Sequence, residues 1–314
     1  MKPVVSVLLP VYNGGAYLKP AIESVLSQTF GDWELSVGDN ASTDGTREIL
    51  ESCHDPRIRV HRHATNIGMA PNWDFLLQNA RGDYACILGS DDIFAPEHLE
   101  RKAELLEKSP DAPYVHGAVR FIDSKGNDLP ADDYKCAPVE EKSVTLPRFL
   151  KTNFVNVTSM VIRVAVLRRH NLGFDMRYPL LLDWALNLKL AMLDGPVIYD
   201  SKSTASYRIH PQSVARTTIN TFRWPYEATR LRVDALMEHP AVWRGIGIDP
   251  LAEARSLTKS FSRLAFQQVR RGNFANAKQA WCFYREFHSS ADAFFDFPRY
   301  IGSGFQKMVV RKPS

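Results

Sequence analysis

Short apolar runs alternate with amphipathic stretches through the first third of the chain. The runs are rich in β-branched residues, a composition typical of strands that are buried on both faces of a sheet. The stretches between them repeat apolar residues at helical spacing, as Tyr17, Ala21 and Val25 do, and this spacing predicts helices. The predicted strands are 4–9, 33–37, 57–61, 84–88 and 114–121.

Helices are predicted between these strands. Their ranges are 16–28, 47–52, 72–80 and 96–108. Strands that alternate with helices at this spacing form βαβ units, whose parallel strands are connected right-handedly. The fold class that we expect is therefore α/β, with a mainly parallel sheet flanked by helices. The loops expected on one side of the sheet, at the carboxyl ends of the strands, are 10–15, 39–46, 66–71 and 89–92.

The pattern becomes less regular beyond residue 121. The remaining predicted elements are a turn over 123–128, irregular structure over 130–145, a helix from about Leu146, a strand over 157–163, a helix over 178–193 and closing strands over 197–199 and 203–209. From about residue 216 the character of the sequence changes, and the ranges 254–271 and 273–287 predict a helical hairpin. We therefore predict two domains, 1–215 and a C-terminal helical, basic region over 216–314.

Composition places the chain among ordinary globular proteins. Of its 314 residues, 45% are hydrophobic and 24% are charged. The apolar run 4–9 is too short to span a membrane and lacks a cleavage site, so it indicates a strand and not a signal peptide. The four cysteines show no CxxC spacing, which predicts neither a zinc site nor a disulfide framework and fits a reducing cytosol. We therefore expect a cytoplasmic location.

Charge is distributed unevenly along the chain. The net charge is +4, but residues 255–314 carry 11 Lys and Arg against 3 acidic residues. One interpretation is a helical hairpin with a solvated basic face. The other, which we favour, is peripheral attachment to the anionic inner face of the cell membrane through basic and aromatic residues. Nucleic acid is not an expected partner, because no basic–aromatic nucleic-acid motif is present.

Two adjacent carboxylates, Asp91 and Asp92, follow the predicted strand 84–88. Like charges side by side repel unless a cation lies nearby, and a divalent metal with a diphosphate is a common partner of such oxygen ligands. A plain turn or a helix N-cap also accounts for the pair, since Asp is favoured at both. The absence of GxGxxG after the first strand, and of GxxxxGKS/T throughout, argues against a dinucleotide oxidoreductase or a P-loop enzyme.

Six segments together resemble the family-2 glycosyltransferases, which have the nucleotide-sugar-binding fold called glycosyltransferase A. They occur in the family's order, from the first strand to about residue 216. The segments are VSVLLPVYN (5–13), DNASTDGT (39–46), NIGMAPN (66–72), ARGDYACILGSDD (80–92), Asp183-Trp184 followed by LKL (188–190), and YRIHPQSV (207–214). The resemblance implies a glycosyltransferase A fold, with a catalytic domain over 1–215.

The resemblance also implies a role for each matching position. Asp183 would be the general base, Asp91 would bind the metal, and His210 would contact the metal or the diphosphate. The residues implied in nucleotide binding are Pro10, Tyr12, Asn13, Asp39, Asn66, Gly68 and Asp92. Two positions depart from the family pattern: Gly89 replaces the first aspartate of the metal motif, and Leu182 replaces a glutamate before Asp183. Gly89 puts the strength of the metal site in doubt.

The implied reaction is an inverting transfer of a sugar from a UDP-, dTDP- or GDP-sugar. The implied acceptor is a glycan or a lipid-linked glycan, as in polysaccharide biosynthesis at the cell envelope, and the implied cofactor is Mn²⁺ or Mg²⁺. The alternative is a catalytically inactive protein that binds nucleotide sugars or acts as a scaffold, with Gly89 as the first sign of decay. Arg208 could hold a phosphate, although a surface ion pair is the simpler account.

Overall fold

One eight-stranded sheet organises the N-terminal part of the chain. The computed structural model describes residues 2–130, 141–213 and 222–270. Residues 1–211 form one compact unit and residues 212–314 another. The strands are β1 (Val5–Val11), β2 (Trp33–Asp39), β3 (Ile58–Arg62), β4 (Tyr84–Ile87), β5 (Ile93–Phe94), β6 (Tyr114–Ile122), β7 (Val161–Arg163) and β8 (Ile198–Arg208).

Helices connect most of these strands. Those of the first unit are α1 (Gly15–Leu26), α2 (Thr46–Glu51), α3 (Met69–Gln78), α4 (His98–Glu107), α5 (Lys142–Phe149), α6 (Val164–Arg169) and α7 (Leu182–Ala191). Apolar side chains of β1, β2, β4, α1 and α4 form one hydrophobic core, in which Leu18, Leu35 and Leu99 are fully buried. The strands β1, β2 and β4 are buried along their whole length, as expected for strands that are covered on both faces.

The strands lie in the order β3-β2-β1-β4-β7-β6-β8-β5. β1, β2, β3 and β4 are parallel to one another, and β6 is parallel to β8. β7 lies antiparallel between β4 and β6, and β5 is antiparallel to β8. The prediction of an α/β fold with a mainly parallel sheet is confirmed, and the antiparallel β7 shows where the sheet becomes mixed.

The first strand is longer than predicted. Pro10 and Val11 were expected in a loop, but both belong to β1, where Pro10 pairs with Gly38. The backbone groups of even-numbered residues of β1 point toward β4, because Leu8 accepts a hydrogen bond from Leu88, just after β4, and Val4, just before β1, accepts one from Tyr84. β4 ends before it reaches Pro10, so the missing N–H of this proline interrupts no ladder.

Two further elements differ from the prediction. The range 157–163 was expected to be one strand, but it begins as a 3₁₀ turn over Val157–Ser159, because the side chain of Asn156 accepts a hydrogen bond from the N–H of Thr158. The two closing strands are the single strand β8, whose register against β6 shifts between Gly117 and Val119. α5 begins at Lys142, earlier than predicted, and residues 131–140 of the predicted irregular stretch lie outside the described residues.

The second unit contains helices α8 (Arg223–Glu238), α9 (Pro240–Gly245) and α10 (Pro250–Arg270). The ring of Phe261 in α10 packs against that of Tyr226 in α8, with 6.3 Å between their centroids. The predicted helix 273–287 lies outside the described residues, and the assignment of separate functions to 1–215 and 216–314 stays a prediction. None of the described helices combines the length and the apolar character that crossing a membrane requires.

Candidate functional site

The loops after β1 and β2 are fastened to each other. The N–H of Asn13 donates to Ser42 Oγ at 2.9 Å, and Asn13 Oδ1 accepts from the N–H of Thr43 at 2.8 Å. The N–H of Gly14 donates to Thr46 Oγ1 at 2.9 Å. Asn13 has φ +53°, a left-handed conformation that asparagine tolerates better than most residues. The side-chain oxygen of Asn13 therefore fixes the conformation of the loop after β1. The side chain of Tyr12, the preceding residue in this loop, is exposed to solvent.

Three residues implied in nucleoside binding lie at this edge of the sheet in different surroundings. Pro10 is buried within β1, whereas the side chain of Tyr12 is 50% exposed. Asp39 is buried at the end of β2, where its Oδ1 accepts from the N–H of Ser42 at 3.0 Å and its Oδ2 pairs with Arg62 Nη2 at 2.9 Å. The carboxylate of Asp39 is thus held in one orientation and is balanced by a half-exposed guanidinium.

Asn40 connects the loop after β2 to the loop after β3. Its Nδ2 donates to Asn66 Oδ1 at 2.9 Å and to the carbonyl of Gly68 at 3.1 Å. Its Oδ1 accepts from the N–H of Ile67 at 2.8 Å. Gly68 has φ +94°, which favours glycine, and it directly precedes α3. Asn40, which was not singled out from the sequence, therefore holds Asn66 and Gly68 in place, and the role of these two residues in nucleotide binding stays a prediction.

Asp91 and His210 meet at the end of the sheet although 119 residues separate them in sequence. Asp91 Oδ2 lies 2.9 Å from His210 Nε2. The Asp91 side chain is 31% exposed and that of His210 is buried. The His210 ring packs on Tyr17 of α1, with 4.8 Å between centroids. The structure thus brings together the two residues predicted at the metal, and one carboxylate edge faces solvent.

Asp92 faces the protein interior. Its Oδ2 accepts from Thr158 Oγ1 at 2.6 Å and its Oδ1 from the N–H of Arg208 at 2.9 Å. Burial, together with the charge of Asp91, raises the pKa of the Asp92 carboxyl to about 7. Both oxygens of Asp92 are engaged by protein groups, so this residue joins the loop after β4 to the 3₁₀ turn and to β8.

Arg208 is not part of a surface ion pair, contrary to the expectation from the sequence. It is buried, and its Nε donates to the carbonyl of Asp91 at 2.7 Å while its Nη1 donates to the carbonyl of Asp123 at 3.0 Å. The guanidinium also lies over the Tyr17 ring, 4.8 Å from its centroid. Arg208 therefore fixes the backbone of the loop 89–92, which carries Asp91 and Asp92 and is called the metal-motif loop below.

Gly89 lies against the same two carboxylates. A Cβ atom added at this position would come within 2.8 Å of Asp92 Oδ2 and 2.9 Å of Asp91 Oδ1. Carbon atoms do not approach oxygens so closely without displacement of one of them. The carboxylates of Asp91 and Asp92 therefore occupy the space that a side chain at position 89 would need, and glycine fits this position.

Asp183 lies in the first turn of α7, where the helix dipole favours negative charge. It is partly buried, and its Oδ2 accepts from Asn153 Nδ2 at 2.9 Å. Burial raises the pKa of the Asp183 carboxyl to about 6, although hydrogen bonds from its own N–H, from that of Trp184 and from Asn153 lower it in part. A carboxylate with this pKa is ionised at neutral pH and is more basic than an exposed aspartate.

Tyr207 in β8 has a phenol whose pKa is raised by its surroundings. Burial raises the pKa of the Tyr207 phenol. The negative charges that raise this pKa further belong to Asp92, Asp91 and Asp183. The direct structural link between these carboxylates is the segment 153–158, in which Asn153 donates to Asp183 Oδ2 at 2.9 Å and Thr158 donates to Asp92 Oδ2 at 2.6 Å.

The ligands for a divalent metal are incomplete within the described residues. No group of three or more His, Cys, Asp and Glu side chains there is arranged to hold a metal ion. Asp91 and His210 nevertheless provide a carboxylate oxygen and an imidazole nitrogen 2.9 Å apart. A carboxylate oxygen suits Mn²⁺ and Mg²⁺, and histidine is the commonest metal ligand in proteins. The residues fit a metal that takes its remaining ligands from a diphosphate and water.

Residues 6–170 of the chain match the family described as glycosyl transferase family 2. An uncharacterized glycosyltransferase of Haemophilus influenzae is 28% identical over 228 residues, which cover 71% of this chain and 86% of that protein. TuaG of Bacillus subtilis, a putative teichuronic acid biosynthesis glycosyltransferase, is 33% identical over 164 residues, which cover 51% of this chain and 62% of TuaG. The match to an uncharacterized glycosyltransferase of Rickettsia felis is 27% identical over 222 residues and covers 69% of this chain but 36% of that protein.

Solved structures share the fold. The S. aureus TarS 1–349 complex with UDP-GlcNAc aligns with a TM-score of 0.60 at 17% identity, covering 90% of this chain and 91% of that one. The mannosyltransferase PcManGT of Pyrobaculum calidifontis, in complex with GDP-Man and Mn²⁺, aligns with a TM-score of 0.54 at 16% identity, covering 92% of this chain and 84% of that one.

Proposed function

The chain belongs to glycosyl transferase family 2, and we propose that it transfers a sugar from a nucleotide-diphosphate donor to a hydroxyl of a glycan or lipid-linked glycan, with inversion at the anomeric carbon. The observation that carries this proposal is that one short segment, 153–158, contacts both Asp183, through Asn153, and Asp92, through Thr158. A site for this reaction needs a base for the acceptor and a cation site for the leaving group. Asp183 and the Asp91–His210 pair supply these two functions.

The nucleoside is assigned to the loops after β1, β2 and β3. Tyr12 offers a half-exposed ring for stacking, and Asp39 with Arg62 offers an acceptor and a donor to a base. Asn66 and Gly68, which Asn40 holds, form the floor beneath. Asn13 fixes the loop that carries Tyr12. The proposed donors are UDP-, dTDP- and GDP-sugars, and UDP-GlcNAc and GDP-Man are the sugars bound in the two solved structures above.

Asp183 takes the proton of the acceptor hydroxyl in the proposed reaction as that oxygen forms a bond to the anomeric carbon. The bond from this carbon to the diphosphate oxygen breaks, and the nucleoside diphosphate leaves with the electron pair. Asp91 and His210 would hold Mn²⁺ or Mg²⁺, which supplies positive charge to a diphosphate when it is bound. Asp92 and Arg208 keep the Asp91 backbone in place.

The test is a panel of UDP-, dTDP- and GDP-sugars, first by thermal shift and then by donor turnover, with Mn²⁺ or Mg²⁺ and with EDTA. A bound donor raises the apparent melting temperature by mass action. We expect Asp183→Asn to bind the donor as the parent does and to lose at least about 10²-fold in kcat, because general base catalysis typically contributes that much.

Asp194→Asn is the matched control, since Asp194 is a fully exposed carboxylate that pairs with Lys142. Its turnover should equal that of the parent protein. If no donor is turned over with metal present and Asp183→Asn behaves like the parent, the protein binds nucleotide sugars or acts as a scaffold without catalysing transfer. A stabilising donor without turnover would favour this second function.

We also propose that the C-terminal unit attaches the protein to an anionic membrane surface. The charged residues Arg255, Lys259 and Arg263 are all exposed on α10, whereas Ala254 and Phe261 of the same helix are buried. Positions four residues apart share a helix face, so the three cations form one basic stripe. Such a stripe supports attachment to acidic lipid headgroups.

A further inference from the structure

A chain of side-chain hydrogen bonds ends on the carboxylate of Asp183. Asn153 Nδ2 donates to Asp183 Oδ2 at 2.9 Å, and Asn153 Oδ1 accepts from Asn187 Nδ2 at 3.2 Å. The same nitrogen of Asn187 donates to the carbonyl of Val155 at 3.1 Å. Asn187 is fully buried, so the chain is anchored in the interior and leads toward the site.

The chain has one consistent arrangement of donors and acceptors. An ionised carboxylate only accepts hydrogen bonds, so the amide nitrogen of Asn153 must face Asp183. Turning this amide over would place its oxygen against the carboxylate and its nitrogen against the Nδ2 of Asn187. The amide of Asn187 is fixed in the same way by the carbonyl of Val155.

The segment that carries Asn153 also contacts the loop after β4. Five residues further on, Thr158 donates to Asp92 Oδ2 at 2.6 Å. Asn156 stabilises the turn between them by accepting from the N–H of Thr158 at 2.9 Å. One short segment, 153–158, therefore contacts both the metal-motif loop and the candidate base, and Asn153 is its contact to the base.

We infer that Asn153, held by Asn187, is a positioning residue that keeps the Asp183 carboxylate ionised and fixes its orientation. This inference rests on the proposed function, in which Asp183 removes the acceptor proton. Burial disfavours the charged form of a carboxyl group, and a hydrogen bond to that form opposes the effect. A general base must be unprotonated at the working pH, so the donor of Asn153 preserves the active form of Asp183.

The test measures the pKa of Asp183 directly, by carbon-13 NMR titration of aspartate carboxyl groups in the full chain. The signal of Asp183 is the one that is missing from Asp183→Asn. We expect Asn153→Ala to raise this pKa by about one unit or more, which is the size expected for loss of a hydrogen bond to an ionised group. Asn153→Asp keeps the shape of the side chain and places a second carboxylate there, so it should raise the pKa further.

Turnover of whichever donor the panel identifies gives the second readout. The acid limb of the kcat/KM profile should move to higher pH in both variants by the shift that NMR measures. Asn156→Ala is the matched control, because it loosens the same segment without contact to Asp183, and it should leave the pKa of Asp183 in place. An unchanged pKa in Asn153→Asp, which preserves the packing, would overturn the inference.

The two proposals fail in different ways. Full activity of Asp183→Asn would contradict the role of Asp183 as the base and hence the proposed mechanism. If Asp183→Asn is inactive and the Asn153 variants titrate like the parent protein, the mechanism stands and only the positioning role of Asn153 is wrong.

Discussion

Gly89 is the residue at which this chain departs from its family's metal motif, and its surroundings predict the effect of a side chain there. A Cβ atom would meet Asp92 Oδ2 at 2.8 Å and Asp91 Oδ1 at 2.9 Å. Asp91 can move toward solvent, but Asp92 can move only if it loses its bond to Thr158. We expect Gly89→Ala to lower the free energy of unfolding by about 1–3 kcal/mol, the usual range for overpacking, as measured by denaturant unfolding.

Gly31→Ala is the control for this prediction. Nothing lies within 4 Å of a Cβ atom added at Gly31, so the same substitution there should not destabilise the protein and should raise the free energy of unfolding by up to about 1 kcal/mol. Equal stability of Gly89→Ala and the parent protein would mean that the two carboxylates rearrange freely. The site would then also accept an aspartate at position 89, as in the family's motif. The short distances from a Cβ atom at Gly89 to the two carboxylates predict that it does not.

The predictability of single residues depended on whether a motif contained them. The resemblance named Asp91 and His210, and the structure places them 2.9 Å apart. It gave Asp92 a place beside the ligand, yet the partner of Asp92 is Thr158, which lies 66 residues away in sequence. Asn153 lies 30 residues from Asp183 and outside the matching segments. Contacts between polar residues that are distant in sequence leave no periodic pattern in the sequence, so they become visible only in the folded structure.

α4 buries two histidines against the sheet, and this packing should make the protein sensitive to acid. His98 of α4 and His116 of β6 are fully buried. Burial and the charge of Lys102, which pairs with Asp200 at 3.1 Å, lower the pKa of each histidine to about 3. The charge of Arg148 also lowers the pKa of His116. Both histidines are therefore neutral in the folded protein at any mildly acidic pH.

The sign of the pH effect follows from proton linkage. Above the unfolded pKa of about 6.5 the histidines are neutral in both states and contribute nothing. Below it the unfolded chain binds protons that the folded protein does not, so the free energy of unfolding falls by roughly 1.4 kcal/mol per pH unit for each histidine. This loss continues as pH falls toward about 3, where the folded histidines are protonated.

His116→Phe should remove one of these two contributions. Neither ring nitrogen of His116 has a hydrogen-bond partner within the described residues, and a phenyl ring can keep the edge contact with Tyr199. Denaturant unfolding at pH 7, 6, 5 and 4 should show a smaller loss of stability in the variant. The raised pKa values of Asp92 and Asp183 increase the free energy of unfolding as pH falls, but this effect is the same in the parent protein and in His116→Phe. The same substitution at exposed His54 serves as control, and equal pH dependence of His116→Phe and the parent would refute the prediction.

At the level of elements, the hydrophobic pattern was sufficient to predict the strands and helices where the two alternate regularly. β1 to β4 and α1 to α4 lie where the spacing predicted them, with ends that differ by a few residues. The pattern failed where a side chain decided the backbone conformation, as Asn156 does at the 3₁₀ turn. β5 was missed because two residues are too short for a periodic signal, and it exists through its pairing with β8.

For the whole molecule, the site depends on the order of the strands more than on any one segment. β7 enters between β4 and β6 and brings the preceding segment, with Asn153 and Thr158, to the carboxyl end of β4. β8 then delivers Tyr207, Arg208 and, just beyond its end, His210. The alternation of helices and strands predicted the parallel half of this sheet. The position of β7 between β4 and β6 depends on pairing between strands that are distant in sequence. The motifs were therefore predictable from the sequence, whereas the contacts between them were not.

The basic stripe of α10 makes a prediction that concerns the whole chain. The triple variant Arg255→Gln, Lys259→Gln and Arg263→Gln should bind vesicles of phosphatidylglycerol and phosphatidylcholine more weakly, since each cation near an anionic surface contributes roughly 1 kcal/mol. Co-sedimentation at low and high salt measures this, because screening weakens the same attraction. Truncation after Ser290, which removes the aromatic and basic end, should abolish binding, whereas replacement of Lys108, an exposed cation directly after α4, by Gln should leave it unchanged. Salt-independent binding that survives both the triple variant and the truncation would exclude electrostatic attachment through the C-terminal unit.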